Sequence, residues 1–192
     1  MNLGQAGINY ERDGVALLQG VFTKPETDVM RGAAISALIG ADPDAKYKSG
    51  RRLQGRMVDA VYFPSLLFWP ALRSLTMNGF RTDPRMIEIL SFFLGDDVKQ
   101  LNNQVYYRMP GDGDAFNWHQ DAMFRKGLAE GHSIGEDYLQ TVICVDEQDG
   151  RNGQLMFVPG THRSGNLNLT DKAHLREVPS ETIPYDSIPS GK

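Results

Sequence analysis

The feature that most constrains this chain is a change of hydrophobic rhythm at Gly95. Upstream, apolar residues recur at helical spacing behind recognisable start signals. Thr23-Lys24-Pro25-Glu26 opens a helix: Thr23 caps it, and Glu26, three residues on, completes a capping box. That helix is predicted to run to about Leu38. Ser65 to about Met77 reads as a second helical region, with Pro70 in the first turn of its regular part and Asn78-Gly79 as its stop. Asp83-Pro84 opens a third through Ile87, Leu90 and Phe93, and Gly95 closes it. Arg12 to Gly20 reads as a turn followed by a short strand, and Arg51 to Arg56 is basic and weakly patterned. Downstream, Val98 to Met109, Phe116 to Asp121, Tyr138 to Asp146 and Gln154 to Val158 are strand-like. Pro110-Gly111-Asp112-Gly113, Gly150-Arg151-Asn152-Gly153 and Pro159-Gly160 are the turns between them. Short strands joined by Gly-rich turns predict an antiparallel sandwich or jelly roll. The expectation is an α+β chain, mainly β with N-terminal helices: a helical part over about 1–97 and a β part over about 98–192.

A chain of 192 residues is long enough for one domain with a proper core. The net charge of −4, without a basic block, argues against nucleic-acid binding. No apolar run approaches the roughly 18 residues of a membrane span. The segment Met1-Asn2-Leu3-Gly4-Gln5 has neither the charge nor the apolar run of a signal peptide. The single cysteine, Cys144, lies in the apolar run Thr141 to Val145 and reads as a buried small hydrophobe. One cysteine excludes an internal disulfide framework and fits a reducing cytoplasm.

The chemistry concentrates in Trp118-His119-Gln120-Asp121. Two residues apart on a strand, His119 and Asp121 share one face. One imidazole and one carboxylate aimed into the same space are two-thirds of the facial triad that holds non-haem Fe(II) and leaves positions open. The third ligand must be a histidine elsewhere, and His132, His162 and His174 are the others in the chain.

The flanks of this pair carry a resemblance. Asn103-Gln104-Val105-Tyr106-Tyr107-Arg108-Met109-Pro110-Gly111 precedes it, and Asn152-Gly153-Gln154-Leu155-Met156-Phe157-Val158-Pro159-Gly160-Thr161-His162-Arg163 follows. With the opening Glu11-Arg12-Asp13-Gly14-Val15 and Gly20-Val21-Phe22, these segments resemble the phytanoyl-CoA dioxygenase family. The resemblance runs from about Tyr10 to Arg163 and implies a single domain over 1–192 built on a double-stranded β-helix, a cupin-like jelly roll. It implies an Fe(II)- and 2-oxoglutarate-dependent dioxygenase that hydroxylates a small organic substrate with O₂, giving succinate and CO₂. It places His119 and Asp121 as metal ligands and Gln104, Tyr106 and Arg108 toward 2-oxoglutarate. Trp118, Met123 and Phe124 fall where they could line the substrate pocket, and Val142 where some members set a tryptophan against the co-substrate.

The same resemblance argues against His162 as the third ligand, because the family's Pro-Gly-Thr-His segment is a turn and its ligand histidine comes later. His132 and His174 sit in unsuitable loop or polar surroundings. The expectation is therefore a chain that is C-terminally incomplete relative to the family, lacking the last strands, the third ligand and a carboxylate-binding arginine. Such a chain would hold Fe(II) weakly and be poorly active by itself. Two rivals remain open at this level. One is a catalytically impaired cupin-like binding module. The other is a non-redox divalent-metal enzyme using His119, Asp121 and His162.

Overall fold

The structure, a computed structural model, describes residues 1–39, 55–58, 61–64, 66–107, 118–121, 138–165, 167 and 183–184. Its elements in chain order are helix α1 (Leu3–Asp13), helix α2 (Lys24–Ile39), strands β1 (Gly55–Val58), β2 (Val61–Pro64) and β3 (Leu66–Phe68), a 3₁₀ turn (Pro70–Leu72), helices α3 (Leu75–Arg81) and α4 (Pro84–Leu94), strands β4 (Gln104–Tyr106) and β5 (Met156–Phe157), a second 3₁₀ turn (Thr161–Ser164) and strand β6 (Ile183–Pro184). The strands pair antiparallel as β1–β2, β3–β4 and β5–β6.

Helix α2 begins as its sequence dictates. The Glu26 carboxylate accepts the Thr23 backbone N–H at 2.7 Å and the Thr23 hydroxyl at 2.8 Å, satisfying one of the donors a helix start leaves orphaned. Helix α4 also follows its signals: Asp83 caps it by accepting from the Arg85 N–H at 2.9 Å, Pro84 occupies the first turn, and Gly95 ends it at φ 82°. The two starts are joined. Arg85 donates to both Glu26 oxygens at 3.2 and 2.7 Å, to both Asp83 oxygens at 2.8 Å, and to the Val21 carbonyl at 2.8 Å. Its guanidinium also lies 4.4 Å from the centre of the Phe22 ring. Hydrogen bonds from Arg85 hold both the Glu26 and the Asp83 carboxyls down at about 2.

The core forms between α2, α3 and α4, where Phe22, Met30, Ala34, Met77, Met86 and Ile89 are buried together. Val105 of β4 and Ile143 and Val145 pack against it. The Tyr107 hydroxyl donates to the Ala34 carbonyl at 2.6 Å, and burial pushes the phenol up to about 12. Cys144 is half-buried rather than fully buried, and its partial burial raises its thiol.

Three local expectations are corrected. Arg12 to Gly20 does not contain a strand; the chain opens with α1, capped by the Asn2 side chain on the Gln5 N–H at 3.0 Å and closed by Gly14 at φ 79°. α1 is held by α4: Tyr10 meets Phe93 edge-on at 5.0 Å, and the Phe92 ring fills the space above Gly7. Of the expected Ser65–Met77 helix, the described residues from Leu66 onward do not begin as helix. Leu66, Leu67 and Phe68 pair with Tyr106, Val105 and Gln104 as β3, and Trp69 takes φ 52° before Pro70 starts the 3₁₀ turn. Proline lacks the N–H a continuing helix would need, so regular helix resumes only behind the Ser74 cap. Asn78-Gly79 does not stop α3, because the Asn78 amide is engaged by Arg81 at 3.0 and 2.7 Å and the helix runs on to Arg81.

In the β part, strand forms only over Gln104–Tyr106 among the described residues of the expected Val98–Met109 strand. Residues 118–121, the described part of the expected Phe116–Asp121 strand, form none, with Asp121 in a 3₁₀ turn. The strand over Gln154–Val158 shrinks to Met156–Phe157. Tyr138–Asp146 forms no ladder, although Ile143 and Val145 face the core as alternation requires. Among the described residues the β structure is therefore three short antiparallel pairs, not a closed double-stranded β-helix.

Candidate metal centre

His119 and Asp121 come together. Nε2 of His119 lies 3.6 Å from Oδ1 of Asp121, with about a third of each side chain open to solvent. That separation is too long for a hydrogen bond. Donors about 2.1 Å from one cation and at right angles to each other are about 3 Å apart. A soft adjustment of either side chain would bring the two donors to that spacing, and an imidazole with a carboxylate is the donor chemistry that suits Fe(II). Among the described residues, no group of three or more histidine, cysteine, aspartate or glutamate side chains could hold a metal ion.

His162 is employed elsewhere. Its Nε2–H donates to the Glu11 carbonyl at 3.1 Å, and Arg163 donates to the same oxygen. The Gly160 N–H donates to the Asp13 carbonyl at 2.9 Å. The Pro159-Gly160-Thr161-His162-Arg163 turn thus caps the C-terminus of α1, where unpaired carbonyls and the helix dipole favour donors and cations. The imidazole rests on Gly14: a Cβ there would lie 2.4 Å from His162 Nδ1. Asp13 is held below the usual carboxylate range first by its hydrogen bond from Arg12, with weaker help from His162 and Arg163.

β4 supplies the second group of side chains. The Gln104 amide donates to the Tyr106 hydroxyl at 2.9 Å and accepts from Asn102 at 2.7 Å, so both residues lie on one face of the strand. Val105, between them, faces the core. Trp118 is half-buried, and Val142 is 52% exposed. Arg108, Met123 and Phe124 lie outside the described residues, as do His132 and His174.

The sequence matches the phytanoyl-CoA dioxygenase (PhyH) family over residues 10–187. The chain belongs to that family. An ectoine dioxygenase from Sphingopyxis alaskensis is 25% identical over 158 residues, covering 81% of this chain and 48% of that protein. An ectoine dioxygenase from Nocardia farcinica is 26% identical over 176 residues, covering 88% and 54% respectively. A probable alpha-ketoglutarate-dependent hypophosphite dioxygenase from Stutzerimonas stutzeri is 28% identical over 97 residues, covering 50% and 30%. This phytanoyl-CoA dioxygenase-family chain thus spans about half the length, or less, of these curated relatives. No solved structure matches it. Among the described residues no helix is long and apolar enough to cross a membrane.

Sequence reasoning missed one residue at this centre. Gln120, between the paired donors, reaches away from them. Its Nε2 donates to the Gly165 carbonyl at 2.9 Å and its Oε1 accepts from the Leu167 N–H at 2.8 Å. Its sequence signal is its place between His119 and Asp121; residues 118–121 form no strand, so alternation does not set its direction.

Proposed function

We propose that this chain carries the iron- and 2-oxoglutarate-binding part of a hydroxylating oxygenase acting on a small organic substrate. The carrying observation is the 3.6 Å approach of His119 Nε2 to Asp121 Oδ1 in a chain of the phytanoyl-CoA dioxygenase family. The name of the hypophosphite dioxygenase, which states dependence on alpha-ketoglutarate, supports the co-substrate. Iron with 2-oxoglutarate and O₂ supplies the oxidation of an unactivated C–H bond, leaving succinate and CO₂. The chain's residues supply position and charge. His119 offers the Nε2 lone pair with its proton on Nδ1. Asp121 offsets part of the cation's charge. Gln104, Tyr106 and Arg108 are donors suited to a dicarboxylate, and the planar fork of Arg108 suits one carboxylate bidentately. Trp118, Met123 and Phe124 are apolar residues suited to a substrate side that excludes water, and Val142 could offer only apolar contact to the co-substrate.

The names of the ectoine dioxygenases and the hypophosphite dioxygenase set the first substrates to try. The test is anaerobic addition of Fe(II) and 2-oxoglutarate to the full chain. A weak visible charge-transfer band is expected, absent from His119→Ala and Asp121→Ala. Its absence from the wild-type chain at millimolar co-substrate would end this reading. The lack of a third ligand among the described residues favours one second reading, a metal-binding module without turnover. A band without succinate formation in air selects it.

A further inference from the structure

Gln120 stands between the two candidate ligands and spends both ends of its amide on a distant segment. Nε2 donates to the Gly165 carbonyl at 2.9 Å, and Oε1 accepts from the Leu167 N–H at 2.8 Å. A primary amide used this way reproduces both bonds of a strand ladder with one side chain. The segment it grips is itself anchored. Five residues before Gly165, Gly160 N–H bonds the Asp13 carbonyl, and His162 and Arg163 bond the Glu11 carbonyl. Between anchor and clamp the chain turns at Gly165, with φ 64° and ψ −151°, a conformation nearly confined to glycine. The Gly160 and Arg163 bonds anchor this segment to the C-terminus of α1 without need of the His162 imidazole, and the clamp joins it to Gln120 and the pair that flanks it.

We infer that Gln120 is a positioning residue: its amide clamp on Gly165 and Leu167 sets the spacing of His119 and Asp121 and so the affinity of the metal they hold. This rests on the metal reading above. The backbone at Gln120 is shared with both neighbours. Once its side chain is fixed at two points, the backbone that carries both ligands is held, and only their own side-chain torsions remain free. Preorganised ligands lose less freedom when a cation binds, and partners that orient ligands are worth about 10–100-fold in metal affinity.

The test uses the ¹⁵N-labelled full chain and Co(II) as the probe. In Gln120→Leu the Leu167 amide should lose its protection from hydrogen exchange. Co(II) binding should weaken at least about tenfold, with the visible cobalt band shifted because the donor geometry has changed. Gly165→Ala, acting from the other end of the clamp, should weaken Co(II) in the same direction. Gln5→Leu removes a comparable exposed amide bond, to Asn9 at 3.2 Å, and should leave Co(II) binding unchanged. A Gln120→Leu chain that exposes the Leu167 amide but binds Co(II) with wild-type affinity and band position would overturn the inference alone. A wild-type chain that binds no Co(II) would instead overturn the metal reading, and this inference with it.

Discussion

His162 Nε2 donates to the carbonyl oxygen of Glu11 at 3.1 Å, with the imidazole packed against Gly14. A histidine that counting would enrol as a third ligand is thus a helix cap. Its Nε2 is bonded to the end of α1, and its Nδ1 sits against a glycine whose missing side chain makes the room.

Disturbing that contact should lower stability without touching the metal pair. His162→Ala removes one hydrogen bond and should cost about 0.5–1.5 kcal/mol. Gly14→Ala should cost more. The residue sits at φ 79°, where a Cβ adds about 1–2 kcal/mol, and that Cβ would also displace the His162 ring. Urea unfolding of the two variants checks the ranking. Equal losses would mean that the ring does not bear on Gly14.

The Arg85 network sets an acid limit. Glu26 and Asp83 each titrate at about 2 in the folded chain against ordinary values of 4.5 and 3.8. Folded values below unfolded ones stabilise above the unfolded values, and that stability is lost as pH falls toward 2. Arg85→Leu should therefore be least stable relative to wild type at neutral pH, with the difference narrowing from about pH 4.5 downward. Chemical unfolding at pH 7, 4 and 3 measures it, and a gap that stays constant with pH would contradict the assignment.

Tyr107→Phe isolates a single bond. The hydroxyl donates to the Ala34 carbonyl within α2, so its loss should cost about 0.5–1.5 kcal/mol. The phenol titrates at about 12 in the fold against 10.0 outside it. This stabilisation is present below pH 10 and is lost as pH rises through 12, so wild type and variant should converge in strong base. Ultraviolet titration of the phenolate reads the raised value directly.

Local chemistry made part of this legible, and distance hid the rest. The starts of α2 and α4 were readable because each cap bonds within three residues. His119 and Asp121 were readable as a pair because they lie two residues apart, although 118–121 forms no strand and a 3₁₀ turn at Asp121 replaces the alternation expected to align them. Leu66-Leu67-Phe68 was misread because a short apolar run has no period of its own, and β4 decides its state from far along the chain. α1 left signals that were passed over, Asn2 at its start and Gly14 at its end. The cap made by His162 had no local signal, since its partner lies 151 residues earlier. The clamp of Gln120 was hidden in the same way, its partners 45 and 47 residues on.

The most direct measurement of the central claim is a Co(II) titration of the full chain beside His119→Ala, Asp121→Ala and His162→Ala. The expected result is saturable binding to wild type, at least about tenfold weaker in His119→Ala and Asp121→Ala, and unchanged in His162→Ala. Binding that falls as far in His162→Ala as in His119→Ala would show that the histidine on Glu11 is a ligand after all and contradict the account.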